Sequence, residues 1–74
     1  MKLYEGLNFS VPYMGYFFSV SILRLTEAEI KYNCHGLGRA GADITVRRSG
    51  NEYQQWSNFM ASLIKFISRE VAER

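Results

Sequence analysis

The chain has 74 residues, of which 47% are hydrophobic, and its nine basic and seven acidic side chains give a formal net charge of +2. A length of this order fits one domain, 1–74, with a marginal core, because such a chain buries only about 60% of the surface that its unfolded form exposes. The single cysteine, Cys34, excludes an internal disulfide. The basic surplus lies within 1–50, with Arg39, Arg47 and Arg48 close together, which is a patch and not a polybasic tail.

The lone thiol and the absence of an apolar stretch after Met1 predict a cytoplasmic protein without a signal peptide. The longest mainly apolar segment, 13–25, is interrupted by Gly15, by two serines and by Arg24. It is too short and too polar to span a bilayer, so we expect no membrane association.

Apolar and polar residues alternate with a period of two in four segments, which predicts four strands. The segments are about 3–11, 16–25, 28–35 and 42–48. Turn chemistry at Pro12 and Gly15 separates the first two strands. A glycine-rich stretch, 36–41, separates the last two and is predicted to be a flexible hairpin loop.

The third segment has an alternative reading. Thr26 and Glu29 have the spacing of a helix capping box, which would start a helix over 26–34. Strict alternation of apolar and polar residues from Ile30 to Cys34 favours the strand.

In the last third of the chain, the apolar residues cover a helical sector of roughly 160°, wider than the roughly 100° stripe that a core-facing helix needs. The pattern predicts a helix over 51–72, about 33 Å long at about 1.5 Å per residue. Ser49 and Glu52 have capping-box spacing, and Gly50 and Asn51 are alternative caps.

Four consecutive strands with short connections pair most simply as an antiparallel meander. The sequence therefore predicts an α+β fold, in which a four-stranded antiparallel β-meander is packed on one face by a single long C-terminal α-helix (ββββα). The other face of the sheet is left open. We expect binding on that face or along the helix flank.

The residue types that catalysis and metal binding require are poorly placed. Cys34 and His35 are neighbours on a predicted strand, so their side chains point to opposite faces and do not converge on one ion or form a nucleophile pair. Glu27, Glu29 and Asp43 are most simply solvated carboxylates. We therefore predict that the chain is not an enzyme and has no catalytic residue and no metal.

The glycine-rich stretch matches a cofactor motif in letters only. Gly36, Gly38 and Gly41 spell G-x-G-x-x-G, which binds a dinucleotide when it follows a strand and opens a helix. The next predicted element is a strand, so we expect no cofactor and a hairpin loop with Arg39 at its tip.

Two sets of side chains are candidates for contacts with a partner. Large apolar residues cluster at the first turn, where they are either tucked under the helix end or displayed. Basic residues lie on the strands and on the glycine-rich loop. The predicted partner-binding residues are Tyr13, Met14, Phe17, Arg24, Lys31, Arg39, Arg47 and Arg48.

The wide apolar sector of the helix has two edges. Phe59 and Phe66 lie along one edge, and Ile64 and Val71 along the other. Either both edges pack against a curved sheet, or Phe59 and Phe66 form the seam of a homodimer.

These features favour a small non-enzymatic module that acts through protein–protein interaction, as a regulator or inhibitor of a larger complex of the kind encoded by phages or mobile elements. The alternative is a domain that binds single-stranded DNA or RNA through a basic patch on its sheet and loop. The predicted open face carries one aromatic residue, Phe17, together with Glu29 and Asp43, whereas base stacking needs aromatic side chains and phosphates need cations. A protein is thus the favoured partner, nucleic acid is the second, and a homodimer stays open.

Overall fold

The computed structural model describes residues 2–74, which form four strands and one helix. Each strand pairs antiparallel with the next one, so the sheet order is β1-β2-β3-β4. The predicted ββββα meander is confirmed. The elements are β1 (Asn8–Tyr13), β2 (Tyr16–Leu25), β3 (Glu29–Gly36), β4 (Ala42–Arg47) and α1 (Glu52–Ala72).

The first strand lies later in the chain than the predicted 3–11. A turn precedes it, in which the Leu7 amide donates to the Tyr4 carbonyl at 3.1 Å and Gly6 has a φ of +88°. Glycine adopts such a positive φ readily, and this conformation lies outside the strand region. At its other end β1 continues to Tyr13, so the connection to β2 is shorter than predicted.

That connection is a two-residue turn. Met14 and Gly15 have φ values of 48° and 84°, and a positive φ at both central residues is the signature of a type I′ turn. The backbone twist of this turn matches the twist of the two strands that it joins. Tyr13 and Tyr16 are therefore direct cross-strand neighbours.

The third element is a strand, and the helical alternative over 26–34 is wrong. Thr26 Oγ1 accepts from the amides of Ala28 and Glu29 at 3.2 and 3.1 Å, and the Thr26 amide donates to the Glu29 carbonyl at 3.0 Å. A threonine hydroxyl can close a tight turn with the same bonds that it uses to cap a helix. The capping-box spacing therefore builds the turn between β2 and β3.

The core lies between the inner face of the sheet and one side of α1. On α1, Phe59 packs edge to face on Tyr32 of β3, with ring centroids 4.9 Å apart. The hydroxyl of the buried Tyr32 lies 2.7 Å from Ser62 Oγ, so its polar atom has a partner. The fully buried side chains are Phe18, Val20, Ile22, Ile30, Tyr32, Cys34, Phe59, Leu63 and Ile67.

The N-terminus of α1 is capped by Asn51, one of the alternatives that the sequence offers. Its Oδ1 accepts from the Gln54 amide at 2.8 Å, and its backbone is extended, as an N-cap requires. Gly50 has a φ of +80°, which directs the chain from β4 into the helix.

Candidate functional site

The face of the sheet opposite α1 is not covered by any other part of residues 2–74, and we refer to it as the open face. The register aligns its side chains in rows, with Ser19 between Ser10 and His35, and Ser21 between Asn8 and Asn33. Because these central side chains are small, a partner could approach the sheet closely there. The small polar residues of this central region are Asn8, Ser10, Ser19, Ser21 and Asn33.

Met14 and Phe17 form the apolar end of the open face. Their exposed fractions are 75% and 71%, and Phe17 stands opposite Pro12 of the neighbouring strand. Tyr13 turns the other way, and its hydroxyl lies 3.0 Å from Ser68 Oγ on α1. Of the three turn residues predicted to bind a partner, Met14 and Phe17 are displayed, whereas Tyr13 is tucked under the helix.

Met14 is an unusual residue for its backbone conformation. A residue with a side chain is disfavoured by roughly 1–2 kcal/mol in the left-handed region, and glycine, asparagine and aspartate are the usual residues at this position of a type I′ turn. The Met14 side chain is not among those that pack against the core. The turn therefore carries a conformational cost for a side chain that points into solvent.

A β-bulge shapes the basic end of the open face. The register between β2 and β3 shifts between Ile22 and Arg24, so that Arg24 stands opposite Lys31. Strict alternation from the buried Ile22 would turn Arg24 inward, and the extra residue of the bulge, Leu23, restores it to the open face. Ile22 and Leu25 both face the core although they are three residues apart, and this break in the period of two is a sequence signal for the bulge.

Arg47 completes the basic end, where it stands opposite Glu29. Asp43 stands opposite Asn33, whose Nδ2 donates to Asp43 Oδ1 at 2.9 Å. Glu29 and Asp43 are therefore not cross-strand neighbours of each other, and both carboxylates lower the net positive charge of the open face.

The glycine-rich loop 36–41 connects β3 to β4 and is bound to the end of α1 through Arg39. The guanidinium donates to the carbonyls of Glu70 and Glu73, both at 3.3 Å, and lies 3.7 Å from the Glu70 carboxylate. The carbonyls at a helix C-terminus lack partners within the helix, and a cation there also offsets the helix dipole. Arg39, which the sequence predicts for a partner, thus has a role within the fold.

Arg48 is likewise engaged within the chain. Its Nε donates to Gln55 Oε1 at 2.8 Å, and its Nη1 donates to the Thr26 carbonyl at 2.6 Å. A guanidinium has several donors in a fixed arrangement, so it can join the β2–β3 turn to α1. Of the five basic residues that the sequence predicts for partner binding, the open face retains Arg24, Lys31 and Arg47.

Cys34 and His35 project to opposite faces of the sheet. Burial raises the pKa of the Cys34 thiol to about 11, and the nearby Glu70 carboxylate acts in the same direction. A thiol with such a pKa is a poor nucleophile near neutral pH. His35 is exposed on the open face beside Ser19. Within residues 2–74 no group of three or more His, Cys, Asp or Glu side chains is close enough to share a metal ion.

The two residues predicted for a dimer seam occupy different surroundings. Phe59 is 0% exposed and contacts the rings of Phe9 and Tyr32, so it belongs to the core and is not accessible to a second chain. Phe59 lies against Tyr32 of the inner strand β3, whereas Phe66 lies beside Ile44 of the edge strand β4, and this explains the difference. Phe66 is partly buried and lines a groove between α1 and β4.

No family model, no curated protein and no solved structure matches this chain. In the described part of the chain, no helix combines the length and the apolar character that crossing a membrane requires.

Proposed function

We propose that this chain is a non-enzymatic protein-binding module that docks through its open face and regulates or inhibits a larger protein complex. The observation that carries the proposal is the exposure of Met14 and Phe17 at the end of a hairpin with a two-residue turn. Large apolar side chains contribute strongly to interfaces when a partner covers them.

The backbone conformation of Met14 supports the same proposal. An asparagine at position 14 would adopt the same positive φ at a lower energetic cost, and the core would lose no contact. A costly residue at an exposed position is explained when its side chain is used for contact with another molecule.

The charge distribution supports a partner with two kinds of surface. Met14 and Phe17 are complementary to an apolar patch on the partner. Arg24 and Lys31, at the other end of the sheet, are complementary to acidic groups on the partner. The small side chains between the two ends leave room for a partner to lie flat on the sheet.

The test is a comparison of two variants in affinity capture from the native host. The double variant M14N/F17S removes the apolar end while its Asn-Gly turn suits a type I′ hairpin, so it should keep the fold. The control is Y53S, because Tyr53 is 78% exposed but lies on α1, away from the open face. We expect a protein that the wild-type chain and Y53S retain and that M14N/F17S loses at least about tenfold.

A captured set that is the same for all three proteins would contradict the proposal. Circular dichroism and thermal unfolding of M14N/F17S verify that the variant is folded. A melting temperature close to that of the wild-type chain is expected, because the lower backbone cost at position 14 offsets the loss of the Phe17 contact with Pro12.

Nucleic acid is the second candidate, favoured by the placement of Arg24, Lys31 and Arg47 at one end of the open face. Three phosphate contacts would give a log–log salt dependence with a slope of about −2.7 on duplex DNA and about −2.1 on single strands. Titrating labelled oligonucleotides at two salt concentrations measures this slope. Absence of binding at low salt rejects this candidate, and steep salt-dependent binding that R24E/K31E abolishes would replace the first.

A further inference from the structure

The two edges of the sheet differ in the hydrogen-bonding groups that they present. In an antiparallel pair, alternate residues exchange backbone hydrogen bonds with the neighbouring strand, and the residues between them direct their N–H and C=O groups outward. The Arg48 amide donates to the Ala28 carbonyl at 2.8 Å, so the register makes Ile44 and Val46 the residues bonded to β3. The outward-facing residues of β4 are therefore Asp43, Thr45 and Arg47.

The opposite edge is interrupted. The Ile22 amide donates to the Leu7 carbonyl at 2.9 Å, which places Ser10 and Pro12 at outward-facing positions of β1. Proline has no N–H, and proline on an outer strand is a recognised obstacle to pairing with another strand. The β4 edge contains no proline and keeps three successive outward N–H groups.

The β4 sequence is complementary to itself when it is read in the opposite direction. When a second copy pairs antiparallel about a two-fold axis at Thr45, Asp43 of each chain stands opposite Arg47 of the other. Ile44 stands opposite Val46 on the inner side. In this register every outward N–H of Asp43, Thr45 and Arg47 meets a carbonyl of the second copy.

We infer that this chain forms a homodimer through β4, in which the two sheets join into one sheet of eight strands. The two-fold axis is perpendicular to the sheet, so both helices lie on one side and both open faces on the other. Met14, Phe17, Arg24 and Lys31 remain uncovered and are present twice. The dimer does not depend on the protein-binding function proposed above.

The inner side of the β4 edge fits the same arrangement. Ile44 and Phe66 line a groove of about 180 Å³ between β4 and α1, and Val46 of the second copy would lie against it. Lys65 and Arg69 rim the groove, and their long side chains can direct the charges into solvent. A chain this short gains from self-association, because its own core is small.

The first test measures the mass of the full chain by sedimentation equilibrium over a broad range of concentrations. We expect a concentration-dependent approach to twice the monomer mass of 8.6 kDa. T45P removes an outward N–H and should abolish the dimer. The fold should be kept, because the Thr45 N–H does not bond to β3. S10P makes the matched change at an outward-facing position of β1 and should leave the dimer intact.

The second test exchanges the charges at the two ends of the pairing. D43R and R47D each create two like-charge pairs by symmetry, and each should weaken the dimer by about tenfold. The double variant D43R/R47D restores opposite charges at both pairs and should recover the wild-type dissociation constant. Recovery by the double variant distinguishes cross-chain pairing from the intrachain contacts of Asp43 and Arg47 with Asn33 and Glu29.

Three results would overturn the inference. The first is a wild-type chain that stays monomeric at its highest soluble concentration. The second is a dimer that T45P leaves unchanged and F66E dissociates, since that pattern places the interface on the helix flank. The third is a double variant D43R/R47D that is as weak as the two single variants.

Discussion

Arg39, Arg47 and Arg48 have the same side chain but meet different surroundings. Arg39 lies beside the carbonyls at the end of α1, Arg48 lies beside a turn carbonyl, and Arg47 faces the open side of the sheet. A sequence pattern does not show which loop comes near which helix end, because that depends on the assembled fold. A basic patch counted from the sequence is therefore larger than the one that the fold leaves available.

The thiol of Cys34 gives a prediction about pH. Its pKa is raised to about 11 in the folded protein, against 9.0 for an ordinary thiol, because burial disfavours the thiolate. Between these values the unfolded chain loses the proton and the folded chain keeps it. The thiol therefore makes no pH-dependent contribution below about pH 9 and destabilises the fold increasingly as the pH rises from 9 to about 11.

The measurement is the free energy of unfolding in urea at a series of pH values, for the wild-type chain and for C34A. Burial also raises the pKa of the neighbouring Tyr32, so both proteins should lose stability at high pH. The wild-type chain should lose it more steeply above pH 9, because C34A has no thiol to titrate. Parallel curves for the two proteins would contradict a buried, protonated thiol.

At the scale of elements, the start of α1 separates two residues that the sequence treats as equivalent caps. Asn51 accepts from the Gln54 amide, whereas Ser49 is exposed and lies before the turn at Gly50. N51A should lower the free energy of unfolding by about 1 kcal/mol, because it leaves a helix amide without its partner. S49A should change it by less than about 0.5 kcal/mol.

Urea unfolding measures both variants, and an unchanged dependence on urea concentration would show that only stability differs. A larger loss for S49A than for N51A would assign the cap to Ser49. Both residues precede Glu52, the first residue of α1, so neither substitution changes the propensity of the helix interior.

The element types could be predicted because most of each segment follows one period, two in the strands and that of a helix in α1, and in the third segment the alternation outweighs the capping-box spacing. The start of β1 could not, since Gly6 turns the chain where Leu3 and Leu7 resemble strand residues. The position of Arg24 also differed from simple alternation, because one extra residue in a strand shifts every side chain beyond it.

At the scale of the whole molecule, the topology was predictable because short connections leave few ways to arrange four strands and a helix. The candidate site was predictable in outline, since an uncovered face follows from having one helix. The place of Phe17 in it was predictable from the alternation in β2, but those of Tyr13 and Met14 were not, because the direction in which each side chain points depends on how the turn is built. That direction is set by the length of the turn, which the structure shortens to Met14 and Gly15.

The small core makes the whole molecule sensitive to one residue of α1. Phe59 is fully buried among the rings of Phe9, Tyr32 and Trp56. Replacing a buried phenylalanine by alanine costs about 3–5 kcal/mol, whereas 74 residues at typical stability per residue give a total on the order of 4–11 kcal/mol. F59A should therefore lose a large share of its stability and unfold at a much lower temperature.

Tyr53 lies on the same helix and is exposed, so Y53A should change the free energy of unfolding by less than about 0.5 kcal/mol. Thermal unfolding at several protein concentrations distinguishes a role of Phe59 in the core from a role in a dimer seam. Loss of a core contact lowers the melting temperature of F59A at every concentration, whereas loss of a seam alone would leave a folded monomer.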